Sequence, residues 1–306
     1  MFRKEPISLY SHRLADKIMF SGVPVFSVCI ALNVMILCHA ETLNLFGNLE
    51  AIYEQAESAL STLQESLLQL ETNGTLSTSP DVIYPTSCLT SGNLEKGLHT
   101  LKVPGLSPFQ VYCENQLAGP GWIVIQKRFS GNLSFFRNWK EYKSGFGNLM
   151  DEYFLGLEKI RALTALEPHE LYVHLEDFDD TIKHAKFDEF AIGNEDDDYA
   201  MNTLGKYSGT AGDSLRSHRK MKFSTYDRDN DREFNKNCAF YYLGGWWYNA
   251  CLDSNLNGQY MPGGKYEESL FARGMCWRSW RGHNYGYRVT QMMIRPKCRT
   301  IPVTHR

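Results

Sequence analysis

Four segments of the sequence carry hydrophobic patterns that predict regular secondary structure. The apolar run 122–126 is typical of a buried strand, and 170–175 alternates apolar and polar residues as a half-exposed strand does. Helical spacing over 151–165 predicts a helix capped by Asp151, and 291–295 predicts a closing strand. Strands and helices do not alternate regularly, which favours an α+β fold with a mostly antiparallel sheet and short helices.

The segment ahead of these strands has a different pattern. Over 41–72, apolar and small residues recur at alternating three- and four-residue steps, which predicts a helical stalk with a weak coiled-coil seam. A single amphipathic helix packed on the next domain is the alternative interpretation. Breaker residues mark a linker over 73–87, followed by a head domain over 88–298 and a tail over 299–306.

The first forty residues have the pattern of an export signal. Basic residues precede an apolar run over 18–37, and small residues around Ala40 resemble a cleavage site, so 1–40 is predicted to be a signal peptide. A signal anchor is the alternative, because about 20 apolar residues can span a bilayer. Under either interpretation the remainder of the protein is extracellular, and cleavage makes it a secreted protein.

Net charge and cysteine content indicate which classes of partner and which cellular compartment are compatible with the sequence. The chain has 306 residues and a formal net charge of -3, which provides no basic field for a nucleic acid. Six cysteines follow the export segment, an even number that predicts disulfides in an oxidising compartment. Sequons at Asn73 and Asn132 are predicted N-glycosylation sites on the same export route.

Acidic and aromatic residues are concentrated over 223–260. Asp227, Asp229 and Asp231 alternate on a polar loop, so their carboxylates can converge on one hard cation such as calcium. Two cysteines then bracket a dense group of tyrosines and tryptophans. The pattern predicts an aromatic binding site whose shape depends on bound calcium. The alternative is an acidic turn that is only solvated.

Two short motifs resemble parts of enzymes but lack the partners that the chemistry needs. Residues 212–215 spell a hydrolase-like quartet, GDSL, yet no later Asp-x-x-His motif supplies its base. His169 and Glu170 begin like a zinc-protease motif, but Val173 stands where the second histidine would be. We therefore predict that the protein is not an enzyme.

Ordered landmarks across the head domain carry a family resemblance. They include 121–126 (GWIVIQ), 237–239 (NCA), 245–247 (GWW), 255–258 (NLNG) and 292–296 (MMIRP). Residues 88–298 resemble a fibrinogen C-terminal domain, as found in fibrinogen chains, ficolins, angiopoietins and tachylectins. The sequence is most similar to the tachylectin-like and ficolin-like lectins, whose layout of signal, stalk and head it shares.

The resemblance implies a long irregular calcium-binding region in the head. Carried over by position, Asp229 and Asp231 are the expected side-chain ligands, and Glu233 and Asn235 are expected to contribute backbone carbonyls. Asp227 lies on the same loop and is expected to reach the ion through water. The predicted cofactor is therefore Ca2+.

The resemblance also implies an acetyl-binding funnel beside the family's second disulfide. Aromatic rings bury the acetyl methyl group there, while backbone N–H groups receive its carbonyl oxygen. The expected lining residues are Tyr242, Ala250, Cys251, Leu252, Trp277 and Tyr285. The peptide bond between Ala250 and Cys251 is expected to be cis. Leu252 replaces a histidine found in many lectin members, so one polar contact is lost.

The resemblance also implies which cysteines are paired. The expected bridges are Cys88–Cys113, Cys238–Cys251 and Cys276–Cys298. The first two correspond to the two bridges of the family. The alternative for the third is a bridge from Cys298 to another chain, which would make a covalent oligomer.

These expectations combine into a secreted, calcium-dependent, lectin-like protein that binds acetylated glycans. N-acetylated sugars on microbial or host surfaces are the expected partners, as in innate immune recognition. Association through the stalk is expected to form a homo-oligomer, whose linked heads raise avidity. The alternative function is an angiopoietin-like or scabrous-like extracellular ligand that engages a cell-surface receptor protein.

Overall fold

The head is built around one large antiparallel sheet. The computed structural model describes residues 83–92 and 95–297, together with positions 58, 59, 61, 62 and 65. Those five positions are helical, and the rest of the predicted stalk, the export segment, Asn73 and the tail lie outside the described residues. None of the helices in the described part is both long and apolar enough to cross a bilayer.

The secondary structure of the described head consists of short elements. The strands are β1 (Gly97–Leu101), β2 (Phe109–Glu114), β3 (Trp122–Arg128), β4 (Phe146–Gly147), β5 (Tyr153–Phe154), β6 (His169–Glu176), β7 (Ile182–Ala191), β8 (Thr203–Leu204), β9 (Tyr207–Gly209), β10 (Ser254–Asn255), β11 (Cys276–Trp277) and β12 (Val289–Pro296). The α-helices are α1 (Trp139–Ser144), α2 (Leu157–Leu166), α3 (Cys238–Tyr241) and α4 (Arg278–Arg281). Single 3-10 turns span Arg216–His218 and Glu268–Leu270.

Strand β12 lies at the centre of the main sheet, although it comes last in the sequence. The strand order is β1-β2-β3-β12-β6-β7-β8, with β5 paired to β3 and β4, and β9 paired to β7. Neighbouring strands are antiparallel throughout this sheet. The predicted α+β class, the antiparallel pairing and the strands at 122–126, 170–175 and 291–295 are confirmed. Strand β6 is buried at six of its eight positions, so it is not the half-exposed strand that its alternation predicts.

The predicted helix over 151–165 begins too early. Tyr153 and Phe154 form β5 instead, and Tyr153 pairs with Lys127 of β3. Helix α2 begins only after Gly156, which has a φ of +113° and therefore the left-handed backbone that glycine adopts most easily. Sheet pairing and this glycine together override the helical spacing of the residues before it.

The half of the head that carries the candidate site has little regular pairing, so buried side chains anchor its backbone. Gln126 Nε2 donates to the Leu256 carbonyl at 2.8 Å, and Arg128 Nη1 donates to the Gly258 carbonyl at 2.8 Å. Both side chains belong to β3 and are buried. The central sheet therefore holds residues 256–258 directly.

Two asparagines extend this network towards the candidate site. Asn255 Nδ2 donates to the Tyr242 carbonyl at 3.0 Å, and Asn257 Nδ2 donates to the Gly245 carbonyl at 2.9 Å. Both asparagines are fully buried. Each satisfies a backbone carbonyl that would otherwise be desolvated without a partner.

A buried ion pair closes the end of β3. Glu152 Oε1 accepts the N–H groups of Phe129, Ser130 and Gly131 at 2.7–3.0 Å. The Arg128 guanidinium lies 3.7 Å from the same oxygen. Burial raises the pKa of Glu152, but the three N–H donors and Arg128 together hold this pKa below its ordinary value.

Replacing this carboxylate should destabilise the head strongly. Glu152→Gln leaves Arg128 buried without a counter-charge, which typically costs about 3–5 kcal/mol of unfolding free energy. Guanidinium chloride denaturation measures the change. Glu189→Gln is the control, because Glu189 is half exposed and lies 3.6 Å from Lys297. That exposed pair should contribute less than about 1 kcal/mol. Equal stabilities of the two variants would contradict the structural role of Glu152.

Candidate functional site

The Cys238–Cys251 disulfide organises the candidate site. The bridge is formed, as the resemblance implied, and the Ala250–Cys251 peptide bond is cis. Cys238 begins α3, and the N–H of Tyr242 donates to the Cys238 carbonyl at 2.8 Å. Because residues four apart share one face of a helical turn, Tyr242 lies on the same face as Cys238.

The acidic loop is hydrogen-bonded directly to this disulfide. Asp231 Oδ2 accepts the N–H of Cys238 at 2.8 Å, and Oδ1 accepts the N–H of Glu233 at 2.8 Å. Burial and the neighbouring Asp229 carboxylate raise the pKa of Asp231 to about 6, although the two backbone donors lower it. The two carboxylates therefore repel each other, and a bound cation would relieve that repulsion.

The donor set fits a hard cation held partly by backbone oxygens. Among the described residues, no hydrogen bond uses the carbonyl oxygen of Glu233 or of Asn235. The Glu233 carboxylate instead accepts the N–H of Asn235 at 3.2 Å. In the same part of the protein, no three Asp, Glu, His or Cys side chains are grouped to hold a metal. A calcium site here needs the Asp229 and Asp231 carboxylates together with carbonyls and water, and it stays a prediction.

Asp227 has a structural role that the sequence did not indicate. Its Oδ1 accepts the backbone N–H of Trp139 at 2.9 Å and the hydroxyl of Thr225 at 2.7 Å. Trp139 is the first residue of α1, where backbone N–H groups lack intrahelical acceptors. Asp227 therefore connects α1 to the acidic loop, and its expected contact with the ion through water stays a prediction.

Tyr242 lies at the site but is largely buried. Its side chain is 6% exposed, and its ring centroid lies 4.9 Å from that of Tyr241. The Lys236 ammonium lies 3.4 Å from the Tyr242 hydroxyl. Little of the Tyr242 side chain is therefore accessible to a ligand, and Lys236 is a neighbour that the sequence did not indicate.

Trp277 lies in the core, and its predicted part in the acetyl funnel stays a prediction. The side chain is fully buried, and Nε1 donates to the Gly212 carbonyl at 2.9 Å. Its backbone pairs with Ser254 in the two-stranded β10–β11 sheet. Trp277 therefore supports the residues that follow Leu252 from within the core.

Tyr285 is fixed by contacts with the turn between β6 and β7 and with α4, and its predicted part in the acetyl funnel stays a prediction. Its hydroxyl accepts the N–H of Phe178 at 3.0 Å, and its ring lies 5.2 Å from the Arg281 guanidinium. Phe178 belongs to the turn between β6 and β7. Within the described part of the molecule, none of the contacts that fix Tyr285 involves the Cys238–Cys251 loop.

His283 is a site residue that sequence reasoning missed. Its Nε2 donates to the Leu252 carbonyl at 3.2 Å, and its ring lies 4.9 Å from that of Phe271. Burial lowers the pKa of His283, so the ring is neutral and keeps one N–H for this bond. An imidazole thus lies beside Leu252, although no spacing rule relates residues 252 and 283.

His218 fixes the backbone immediately after Leu252. The ring is fully buried, and Nδ1 donates to the Trp247 carbonyl at 2.7 Å. Nε2 accepts the N–H groups of Asp253 and Ser254, both at 3.1 Å. Burial lowers the pKa of His218 to about 4, which keeps the ring neutral in this arrangement.

The cysteines outside the site give one confirmation and one correction. The Cys88–Cys113 bridge is formed. Cys276, however, is a free thiol, fully buried on β11, so the predicted Cys276–Cys298 bridge is wrong. The thiol is enclosed by the core, and burial raises its pKa to about 12. Cys298 itself lies outside the described residues.

The structure also shows where the Asn132 sequon and the GDSL quartet lie. Asn132 is exposed, as N-glycosylation requires, and its modification stays a prediction. Ser214, the serine of the GDSL quartet, is buried, with its hydroxyl 2.7 Å from the Ser279 hydroxyl. The quartet therefore contributes a hydrogen bond between two segments of the fold.

Comparisons with known proteins give the family of this protein. Residues 86–297 match the family model described as fibrinogen beta and gamma chains, C-terminal globular domain. The protein belongs to the fibrinogen C-terminal domain family. It is 45% identical over 215 residues to fibrinogen C domain-containing protein 1 of Macaca fascicularis, covering 68% of this chain and 48% of that protein. It is 46% identical over 206 residues to human angiopoietin-related protein 6, covering 67% of this chain and 43% of that protein.

Solved structures agree with the fold of this fibrinogen-like head. The fibrinogen-like globe domain of human ANGPTL6 matches with a TM-score of 0.67 and 42% identity, covering 73% of this chain and all of that domain. A lamprey fibrin D-dimer in complex with a peptide ligand matches with a TM-score of 0.66 and 27% identity. This match covers 92% of this chain and 97% of the lamprey chain. The chain spans about half the length of the curated relatives, so the similarity concerns this domain.

Replacing Asp229 should abolish stabilisation of the fibrinogen-like head by calcium. In the wild type, calcium at about 100 times its Kd should add ~2.7 kcal/mol of unfolding free energy. Asp229→Asn should remove this gain, and in chelator it should melt at or above the wild type because one like charge is gone. Calorimetry with calcium and with EGTA measures both effects. The control is Asp196→Asn at an exposed aspartate. Equal calcium-induced shifts in wild type and Asp229→Asn would exclude this site.

The head should lose stability on mild acidification because of its buried histidines. Burial lowers the pKa values of His169 and His218 to about 4, below the unfolded value, so the unfolded chain binds more protons. Between about pH 6.5 and pH 4, each should lower the unfolding free energy by ~1.4 kcal/mol per pH unit. Urea unfolding across this range tests the expectation in the Asp229→Asn background, in which burial still raises the Asp231 pKa but the Asp229 charge no longer does. A flat profile would contradict the expectation.

Proposed function

We propose that this protein is a non-enzymatic extracellular recognition protein whose head binds the acetyl group of N-acetylated glycans in a calcium-dependent manner. The hydrogen bond from the Cys238 N–H to Asp231 Oδ2 carries the proposal. It joins the carboxylate pair, the candidate ion ligands, to the disulfide that shapes the candidate sugar site. Ion binding would therefore rigidify the loop that receives the sugar.

Unused backbone donors support the acetyl site. Among the described residues, no hydrogen bond uses the N–H of Ala250, Cys251 or Leu252. Such groups can donate to the acetyl carbonyl oxygen. The partly exposed side chain of Leu252 lies beside them and can contact the acetyl methyl group. An apolar contact next to unpaired donors is the complement of an acetamide.

The extracellular location rests on the two disulfides and the family. Cys88–Cys113 and Cys238–Cys251 require an oxidising compartment to form and persist. Shallow sugar sites bind weakly, and we propose that the stalk links several heads into a homo-oligomer. Linking sites in this way raises avidity without any new contact.

Retention on an N-acetylated resin tests the proposed function. Wild type should be retained in calcium and released by EGTA or free acetate, whereas Leu252→Asp should lose at least about tenfold in affinity because a charge replaces the apolar contact. Leu98→Asp is the matched control, since Leu98 is a 45% exposed leucine on β1. Retention that persists in Leu252→Asp, or that ignores EGTA, would refute the proposal.

A receptor ligand is the second candidate function. The 46% identity to angiopoietin-related protein 6 is the observation that favours it. A panel of N-acetylated glycans and a panel of cell-surface ectodomains, both presented in millimolar calcium, separate the two functions. Binding to an ectodomain without any glycan signal would favour the receptor ligand.

A further inference from the structure

The Arg228 side chain joins the acidic loop to two other segments of the head. Its guanidinium lies 4.0 Å from the ring centroid of Trp139, the first residue of α1. It also pairs with two carboxylates of the turn at 195–198, with Asp198 at 2.5 Å and with Glu195 at 4.0 Å. A planar guanidinium can stack on a ring and pair with carboxylates together, a combination that the ammonium of lysine does not offer.

Both carboxylates are fixed by further contacts. Glu195 accepts the Trp139 Nε1–H at 2.9 Å and pairs with Lys143 of α1 at 2.5 Å. Asp198 is largely buried and pairs with Lys222 at 2.9 Å. Because both acids are held elsewhere, their ion pairs with the guanidinium fix its position in turn.

The backbone on either side of Asp229 is fixed, whereas its side chain is exposed. On one side, Thr225 and Arg228 exchange two backbone hydrogen bonds, at 2.9 and 3.1 Å. On the other side, the Asn230 N–H donates to Ser224 Oγ at 3.0 Å. The position of the Asp229 carboxylate therefore depends on the backbone that Arg228 anchors.

We infer that Arg228 is a positioning residue for the proposed calcium site, because its contacts with Trp139 and Asp198 hold the backbone that carries Asp229. Side chains that orient a metal ligand raise its affinity for the ion, since less ordering remains to be done on binding. The inference rests on the proposed function, in which calcium binds at Asp229 and Asp231. A positive charge beside the site would by itself weaken calcium binding through like-charge repulsion.

Removing the guanidinium tests the inference, because a positioning role and a pure charge effect predict opposite changes. Isothermal titration calorimetry measures calcium binding to full-length wild type and Arg228→Gln. The variant should bind calcium about tenfold more weakly, the lower end of the loss that is typical for residues orienting a metal ligand. Tighter binding would show that Arg228 acts by charge alone, and either tighter or unchanged binding would overturn the inference.

Two further variants control the experiment. Arg288→Gln removes the same charge at a side chain of matched exposure, 40% against 39% for Arg228. Arg288 also pairs with two carboxylates, those of Glu176 and Asp180, and its replacement should leave calcium affinity unchanged. Arg228→Lys keeps the charge and can pair with Asp198, so it should recover part of the lost affinity. Equal losses in the two glutamine variants, or no recovery with lysine, would overturn the inference.

Failure of this inference can be told apart from failure of the proposed function. Retention on the N-acetylated resin is measured against calcium concentration. Arg228→Gln should need about tenfold more calcium for half-maximal retention and should match wild type at saturating calcium, because Leu252 is intact. A lower maximum would indicate damage to the fold and overturn the inference. If calcium affinity falls as expected while wild type is not retained, only the acetyl site is wrong. If wild type binds no calcium, both proposals are wrong.

Discussion

The irregular half of the head depends on buried side chains that satisfy its backbone. Regular strands pair their own N–H and carbonyl groups, but the region between β9 and β12 has few such ladders. Gln126 and Arg128 of the central sheet donate hydrogen bonds to the backbone carbonyls of residues 256 and 258. Asn255 and Asn257 donate hydrogen bonds to the carbonyls of Tyr242 and Gly245. Because unpaired buried polar groups are costly, this network fixes one loop conformation and gives the candidate site a rigid base.

The candidate site couples two kinds of chemistry through a single backbone group. The Cys238 N–H donates to Asp231, while the Cys238 sulfur is bonded to Cys251. A cation that neutralises the carboxylate pair would therefore act on the loop that carries Leu252. His218 holds the other end of that loop through the N–H groups of Asp253 and Ser254. Between these anchors the backbone donors of residues 250–252 remain unused, which suits a loop that recognises ligands on a rigid scaffold.

The aromatic residues of this region divide by burial into two roles. Trp246, Trp247 and Trp277 are fully buried and fill the core beneath the loops. Phe240 and Tyr241 are exposed, with Lys236 and Arg273 beside the Tyr241 ring. Aromatic density in the sequence therefore reflects two things, the packing of a core that has little regular structure and rings that remain on the surface.

The sequence by itself determined the fold class, the three main strands, two disulfides and the cis bond, because periodicity and ordered landmarks are local or family-wide signals. It failed where distant segments meet. Tyr153 and Phe154 joined a strand because β3 offered a partner, and Cys276 stayed a thiol because the core enclosed it. The sequence also did not predict the hydrogen bonds of Trp277 to Gly212, of Tyr285 to Phe178 and of His283 to Leu252, since each joins segments about 30 residues or more apart. Only the tertiary structure decides such contacts, because no spacing rule encodes them.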